Sequence, residues 1–158
     1  MTVQITLDDG NQRIARTAAQ GRFDRRKNTR HRWGYQQNEH SIDVELDAIG
    51  AEIAAGLSIG VTWKDSSVPD SDGDLGERIQ VRHTKWGTGR LLVHPEDKDD
   101  HCFILVRGKF PTFSIVGWMG GGEAKQRQWW TDPSRRGRWC YAVPGDGLRS
   151  ISTLAETP

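Results

Sequence analysis

A short segment, residues 74–82, carries polar residues at a spacing suited to phosphodiester chemistry. It reads Asp-Leu-Gly-Glu-Arg-Ile-Gln-Val-Arg, so Asp74 precedes a glycine turn and Gln80 and Arg82 occupy alternate positions after it. Alternate residues of a β-strand share one face. Carboxylate and amide oxygens suit Mg²⁺ or Mn²⁺, which activate water for attack on phosphorus. A cation at Arg82 would stabilise charge on the phosphoryl oxygens.

A second carboxylate, Glu52, lies in a predicted amphipathic helix that begins near Ser41 and ends near Gly60. At about 100° per residue, Glu52 lies beside the apolar stripe, where it either reaches a cleft next to the core or meets water. We expect Glu52, Asp74 and Gln80 to bind the metal ion. The stripe recurs at steps of three and four: Leu46, Ile49, Ile53 and Leu57.

Beyond this helix the apolar period becomes two, which predicts strands. In the strand that carries Gln80 and Arg82, the other face holds Ile79, Val81 and His83 and is expected to meet the core. The pattern predicts an α/β (α+β) fold with a central mixed β-sheet flanked by helices. The predicted strands are 61–63, 79–84, 91–93, 102–106 and 113–118, followed by a short helix over 123–130 and closing elements at 139–143 and 148–154.

The first forty residues lack a sustained apolar period and are predicted to form a basic, partly ordered arm, with a single α/β domain over 41–158. Residues 1–34 carry eight Lys or Arg and three acids, a balance of 8 − 3 = +5. Such a segment either contacts phosphates or is a solvated arm. The predicted nucleic-acid contacts are Arg25, Arg26, Lys27, Arg30, Arg32, Lys85, Lys125 and Arg127.

The composition excludes several classes of protein. Among 158 residues, 27% are charged and the mean hydropathy is -0.69. No apolar run approaches the roughly 20 residues that span a bilayer, and the N-terminus has no signal-peptide pattern. Two cysteines, Cys102 and Cys140, make no disulfide framework. We therefore expect a cytoplasmic protein without a membrane partner.

Taken together, these motifs resemble the PD-(D/E)xK nuclease superfamily, in which a helical Glu precedes an Asp and a strand-borne (D/E)-x-K. They are most similar to small phage- and prophage-encoded proteins assigned to it, over residues 42–150. The resemblance implies a restriction-endonuclease-like fold, Mg²⁺- or Mn²⁺-dependent cleavage of DNA in the host cytoplasm, and possible homodimers, because many such enzymes pair to cut two strands. The matching segments are Ala48–Ala54, Asp74–Arg82, Leu105-Val106, Gly117–Lys125, Val143-Pro144 and Leu148.

This chain departs from the superfamily pattern at two positions. Gln80 replaces an acidic residue, and Arg82 replaces the lysine; an arginine keeps its charge and cannot act as a base. The leading hypothesis is a metal-dependent nuclease that hydrolyses DNA, with catalytic residues Glu52, Asp74, Gln80 and Arg82. The alternatives are a catalytically degenerate nucleic-acid-binding or assembly module on the same fold, and a purely structural phage component. RNA remains open as the substrate.

Overall fold

The computed structural model describes residues 2–26, 41–65 and 73–155, which contain seven strands and four α-helices. The helices are α1 Asp9–Arg26, α2 Ile42–Ile59, α3 Gly121–Ala124 and α4 Ile151–Ala155. The strands are β1 Val3–Thr6, β2 Ile79–Thr84, β3 Leu91–Val93, β4 Cys102–Lys109, β5 Thr112–Gly120, β6 Trp130–Thr131 and β7 Cys140–Val143.

The strands form two sheets. The larger sheet has the order β1-β5-β4-β2 and is mixed, because β2 runs parallel to β4 while the other neighbours are antiparallel. The smaller sheet has the order β3-β7-β6 and is antiparallel. The predicted combination of helices with a mixed sheet is confirmed at this level. The finer restriction-endonuclease-like assignment remains a proposal.

The two faces of the larger sheet are covered by different layers. Ile104 and Val106 of β4 pack with α1, α2 and α4 on one face, whereas Phe103 and Leu105 pack with β3 and β7 on the other. Strand β4 is apolar on both faces because both are buried. The sequence predicted helices flanking the sheet, and the structure instead places a second sheet on one side.

Helix α2 lies at the centre of the helical layer, and its ends are those that the sequence predicts. Ser41 accepts a hydrogen bond from the Val44 amide at 3.3 Å, and Gly60 ends the helix in the left-handed region at φ 75°. Small residues bring the helix close to the sheet. A Cβ at Gly50 would lie 2.8 Å from the Phe113 ring.

The N-terminal segment differs from the predicted arm, because residues 3–26 form β1 and α1 within the same fold. Strand β1 pairs with β5 along the edge of the larger sheet, and α1 packs against α2. The contact face of α1 is built largely from alanines, which contribute little to a hydropathy pattern. The buried members are Ala15, Ala18 and Ala19.

The remaining differences are local. Residues 61–63 form no strand, and the helix predicted over 123–130 is instead α3 followed by a 3-10 turn at Arg127–Trp129. The closing elements are β7 and α4. Among the described helices, none combines the length and the apolar character needed to cross a bilayer.

Candidate active site

The Glu52 carboxylate is buried between α1 and the segment that follows α2. Its side chain projects from the helical layer, and only 7% of the residue is exposed. Arg22 of α1 reaches both of its oxygens, with nitrogen–oxygen distances of 3.3 and 3.5 Å. The Trp63 indole donates to Glu52 Oε2 at 2.7 Å. Glu52 therefore reaches inward, as one of the two sequence interpretations proposed.

Arg22 interacts electrostatically with several acids. Its guanidinium lies 3.6 Å from Asp65, and its charge also interacts with Glu45 and Asp74. Together with Glu52 this makes four carboxylates around one buried cation. Arg25 lies 4.0 Å from Asp65 but is half-exposed. The Arg22 and Glu52 side chains of this cluster are both poorly solvated, so their charges interact strongly.

Asp74 is fixed at the outer edge of β2 by a tight loop. Its Oδ2 accepts a hydrogen bond from the Val81 amide at 2.8 Å, and its own amide donates to the Ile79 carbonyl at 2.9 Å. Gly76 adopts φ 91°, and a Cβ at Gly73 would collide with the Gly76 carbonyl. These glycines allow the chain to return Asp74 to the strand that follows it.

The pKa values of both carboxyls reflect burial and mutual repulsion. Burial and the Asp74 carboxylate raise the pKa of Glu52 to about 7, against the lowering effects of Arg22 and Trp63. Burial also raises the pKa of Asp74, outweighing the Val81 amide and the charges of Arg82 and Arg22. Burial disfavours the charged form of Arg22, yet Glu52 and the other acids outweigh it and raise its pKa. Two acids that share too little positive charge are typical of functional sites.

Gln80 and Arg82 lie on the opposite face of the larger sheet from Glu52. Gln80 pairs in register with Phe103, and the Arg82 guanidinium lies 5.1 Å from the centre of the Phe103 ring. Phe103 belongs to the core against the smaller sheet, whereas α2 packs on the other face. The four predicted catalytic side chains therefore do not gather in one pocket, because residues that alternate with the helix-facing positions must point away from α2.

Both side chains have other partners on that face. Arg82 donates to Asp97 at 2.9 Å, and Asp97 also accepts from the His94 amide. Gln80 Nε2 lies 3.5 Å from His101 Nδ1. The predicted role of Gln80 as a ligand shared with Glu52 is thus not supported, and Arg82 is part of a structural ion pair.

The remaining pair, Glu52 and Asp74, interacts electrostatically, and both are carboxylates, the ligand type that divalent cations such as Mg²⁺ prefer. Within the described ranges, no group of three His, Cys, Asp or Glu side chains could hold a metal ion. Mg²⁺ is commonly bound through one or two carboxylates with water completing the octahedron. The repulsion that raises the Glu52 pKa is what such a cation would relieve.

The predicted nucleic-acid contacts are widely separated. Arg127 is exposed, and Lys85 lies 5.0 Å above the ring of Trp86. The Lys125 amine donates to the Pro95 and Asp97 carbonyls at 3.0 and 2.5 Å, and its contact with nucleic acid stays a prediction. Three further predicted contacts, Lys27, Arg30 and Arg32, lie outside the described residues. Of Arg26, the structure describes only the backbone.

Arg22 is the site residue that sequence reasoning missed. Its signal was nonetheless present, because Arg22 continues the three-and-four spacing of the buried alanines of α1. A charged residue on a buried stripe requires a buried partner.

No family model, curated protein or solved structure matches this chain.

Proposed function

We propose that the protein is a metal-dependent nuclease that hydrolyses DNA phosphodiester bonds. The observation that carries the proposal is the pair of carboxylates formed by buried Glu52 on α2 and partly buried Asp74 at the edge of β2. Burial raises the pKa of both, and the Asp74 charge raises the pKa of Glu52 further. A fold gains no stability from two poorly solvated acids that repel each other, whereas a site for Mg²⁺ or Mn²⁺ requires carboxylates.

The residues of the chain have separate tasks in this proposal. Glu52 and Asp74 hold the divalent cation, which when bound would activate water for attack on phosphorus. Arg22 takes the place that the sequence assigned to Arg82. Its guanidinium is fixed against Glu52 and Asp65, where it would stabilise negative charge on a phosphate without acting as a base.

The restriction-endonuclease-like fold and the phage origin belong to the same proposal. A helical carboxylate next to an aspartate that precedes a strand supports them, because this order matches the superfamily pattern that the sequence resembles. The mixed parallel and antiparallel pairing of β2, β4 and β5 is compatible with it. Action in the host cytoplasm and pairing of two copies remain predictions of the resemblance.

The test is cleavage of DNA by matched asparagine variants. We expect the wild-type chain to cut DNA with Mg²⁺ or Mn²⁺ and not in EDTA, with RNA assayed in parallel. Asp74→Asn keeps an oxygen for the Val81 amide but removes the charge, and should reduce cleavage at least about a hundredfold. Asp97→Asn changes the acid of the other arginine pair and should leave cleavage nearly intact.

Two results would refute this assignment. Undiminished cleavage by Asp74→Asn, with its fold verified by circular dichroism, would remove Asp74 from the chemistry. Equal losses in both variants would show a general effect of charge removal instead of a metal site. Cleavage of RNA alone would keep the site and change the substrate.

A second candidate, a non-catalytic nucleic-acid-binding module on the same scaffold, is favoured by one observation. Arg22 already contacts both oxygens of Glu52, so a guanidinium supplies part of the charge that a metal ion would bring. This candidate predicts salt-sensitive DNA binding with no cleavage in either Mg²⁺ or Mn²⁺. The same assays therefore separate the two functions.

A further inference from the structure

Three aromatic side chains form a platform on the hairpin of β6 and β7, far in sequence from the acid cluster. Trp130 and Trp139 stack with ring centres 5.9 Å apart and planes 20° apart. Tyr141 contacts Trp130 at 4.8 Å between ring centres. Trp130 is 40% exposed and Trp139 51% exposed. A single exposed indole is ordinary, whereas adjacent exposed aromatic rings form a contiguous apolar patch of the kind that marks a binding site.

The platform is held rigidly. Trp129, the neighbour of Trp130, packs against the core between the two sheets. The Trp130–Tyr141 contact is also a register pair of the hairpin. The aromatic surface is therefore fixed before any ligand arrives, which lowers the entropic cost of binding.

The loop that joins the two strands is ordered by Asp132. Its carboxylate accepts hydrogen bonds from the Gly137 amide at 2.8 Å and from the Ser134 hydroxyl at 3.1 Å. Burial raises the pKa of Asp132, but these bonds and the amides of Arg136 and Arg138 outweigh it, and the pKa lies below its ordinary value. The Asp132 carboxylate is therefore engaged by hydrogen bonds within its own loop.

The arginines of the hairpin give it a net positive charge. Residues 126–141 contain four arginines and one acid, a balance of 4 − 1 = +3. Arg127, Arg135 and Arg136 are exposed, and none forms an ion pair with a described residue. Their charge is available for an anionic partner at the border of the aromatic platform.

We propose that this hairpin binds single-stranded nucleic acid, with bases stacked on Trp139 and Trp130 and phosphates on Arg127, Arg135 and Arg136. Stacking requires a base whose face is free, which a duplex does not offer. Arginine charge alone would bind any polyanion, so the exposed indoles select the unpaired strand. The inference rests on the proposed action on nucleic acid and adds the strand state of the substrate.

The test is fluorescence anisotropy of the full chain with a labelled single-stranded DNA of about 12 nucleotides, within the usual site size of such surfaces, and with the same sequence as a duplex. The Asp74→Asn variant in EDTA is used throughout, so that no cleavage occurs. Trp139→Ala removes half of the stack. Trp86→Ala is the matched control, because Trp86 is 64% exposed and lies outside the hairpin.

We expect tighter binding of the single strand than of the duplex. Trp139→Ala should weaken it about tenfold, as the loss of one stacked base does, and Trp86→Ala should not. The double variant Arg127→Gln with Arg136→Gln should reduce the slope of log affinity against log salt by roughly 1.4, at about 0.7 for each phosphate contact to a single strand.

Several results would overturn the inference. Equal affinity for the duplex, or equal effects of Trp139→Ala and Trp86→Ala, would remove the stacking role. Salt-independent binding of the DNA would show that the three arginines do not contact its phosphates. Displacement of the DNA by an acidic peptide would indicate a protein partner. If single strands bind as expected but the wild-type chain cleaves nothing, the nuclease proposal fails and this one stands. If the hairpin variants bind and cleave normally, the reverse holds.

Discussion

Two arginine–carboxylate pairs lie on opposite faces of the larger sheet and differ in their charge balance. Arg22 and Glu52 are 9% and 7% exposed, and Asp65, Glu45 and Asp74 add further negative charge around the same guanidinium. Arg82 and Asp97 form a closer pair at 2.9 Å, partly in contact with solvent, with Phe103 beneath the guanidinium.

The Arg82 pair joins one guanidinium to one carboxylate, whereas Arg22 interacts with four carboxylates. Asp97 accepts from Arg82 Nη2 and from the His94 amide, which ties the 94–97 turn to β2, while the buried Arg82 Nε has no hydrogen-bond partner among the described residues. Around Arg22, burial and the Asp74 charge raise the pKa of Glu52, an effect that a proton or a bound cation on Glu52 would relieve. A short, well-formed ion pair is therefore a poorer sign of function than an incompletely neutralised cluster.

The largest expected difference between the two pairs concerns stability. Arg22→Ala leaves a buried acid cluster without its cation and should lower the free energy of unfolding by about 3–5 kcal/mol. Arg82→Ala removes a partly exposed pair and a ring contact, and should cost about 1 kcal/mol. Urea denaturation of both variants measures this, and equal losses would contradict the contrast.

A second expected difference is the pH dependence that Glu52 confers. Its pKa is raised to about 7 in the folded chain, from an ordinary 4.5. Between these values the folded state binds more protons than the unfolded state, so the contribution of Glu52 to stability is fully present below about pH 4.5 and is lost as the pH rises through about 7. The unfolding free energy of the wild type relative to Glu52→Gln, measured in EDTA, should fall over that range.

Trp63→Phe sharpens this measurement. The indole hydrogen bond at 2.7 Å lowers the Glu52 pKa, so its removal should extend the decline to higher pH than in the wild type. A difference between wild type and Glu52→Gln that stays constant from pH 4.5 to 7 would show that Arg22 keeps Glu52 ionised throughout.

The smallest expected difference between the Arg22 and Arg82 pairs is in the rate of DNA cleavage. Arg22→Lys keeps the charge but loses the two-pronged contact with Glu52, and should slow cleavage roughly tenfold. Arg82→Lys should leave the cleavage rate within about twofold, since its pair serves the fold. Steady-state cleavage of one DNA substrate measures both. A larger loss in Arg82→Lys would return Arg82 to the catalytic site.

The helices and strands around the site were largely predictable, but the face of the larger sheet on which Glu52 lies was not predicted correctly. Alternation correctly placed Ile79 and Val81 toward a core, and the α2 periodicity correctly placed that helix on a core. A helix packs on the apolar face, so Glu52 belongs with Ile79 and not with Gln80. Strand alternation and the packing of a helix on the apolar face of a strand, taken together, place Glu52 and Arg82 on opposite faces of the sheet.

Other features depended on contacts between distant segments and could not be derived from local pattern. Helix α1 has few large apolar residues, so its pattern is weak until α2 supplies the surface that buries its alanines. The Arg22–Glu52 contact joins residues thirty positions apart. The hydrogen bonds of the Lys125 amine with residues 95–99 likewise join segments that are distant in sequence.

The hydrogen bonds made by Asp74 and Leu75 also determine how two copies of the chain can associate. Strand β2 ends the larger sheet, and an open sheet margin is a template for intermolecular strand addition. Here the Val81 amide and the Ile79 carbonyl are already occupied, by the Asp74 carboxylate and by the Asp74 and Leu75 amides. A homodimer would consequently not form by extending the sheet at residues 79–81. Asp74→Ala, unlike Asp74→Asn, would free that amide, and a higher oligomer seen only for the alanine variant in light scattering would report the unmasked margin.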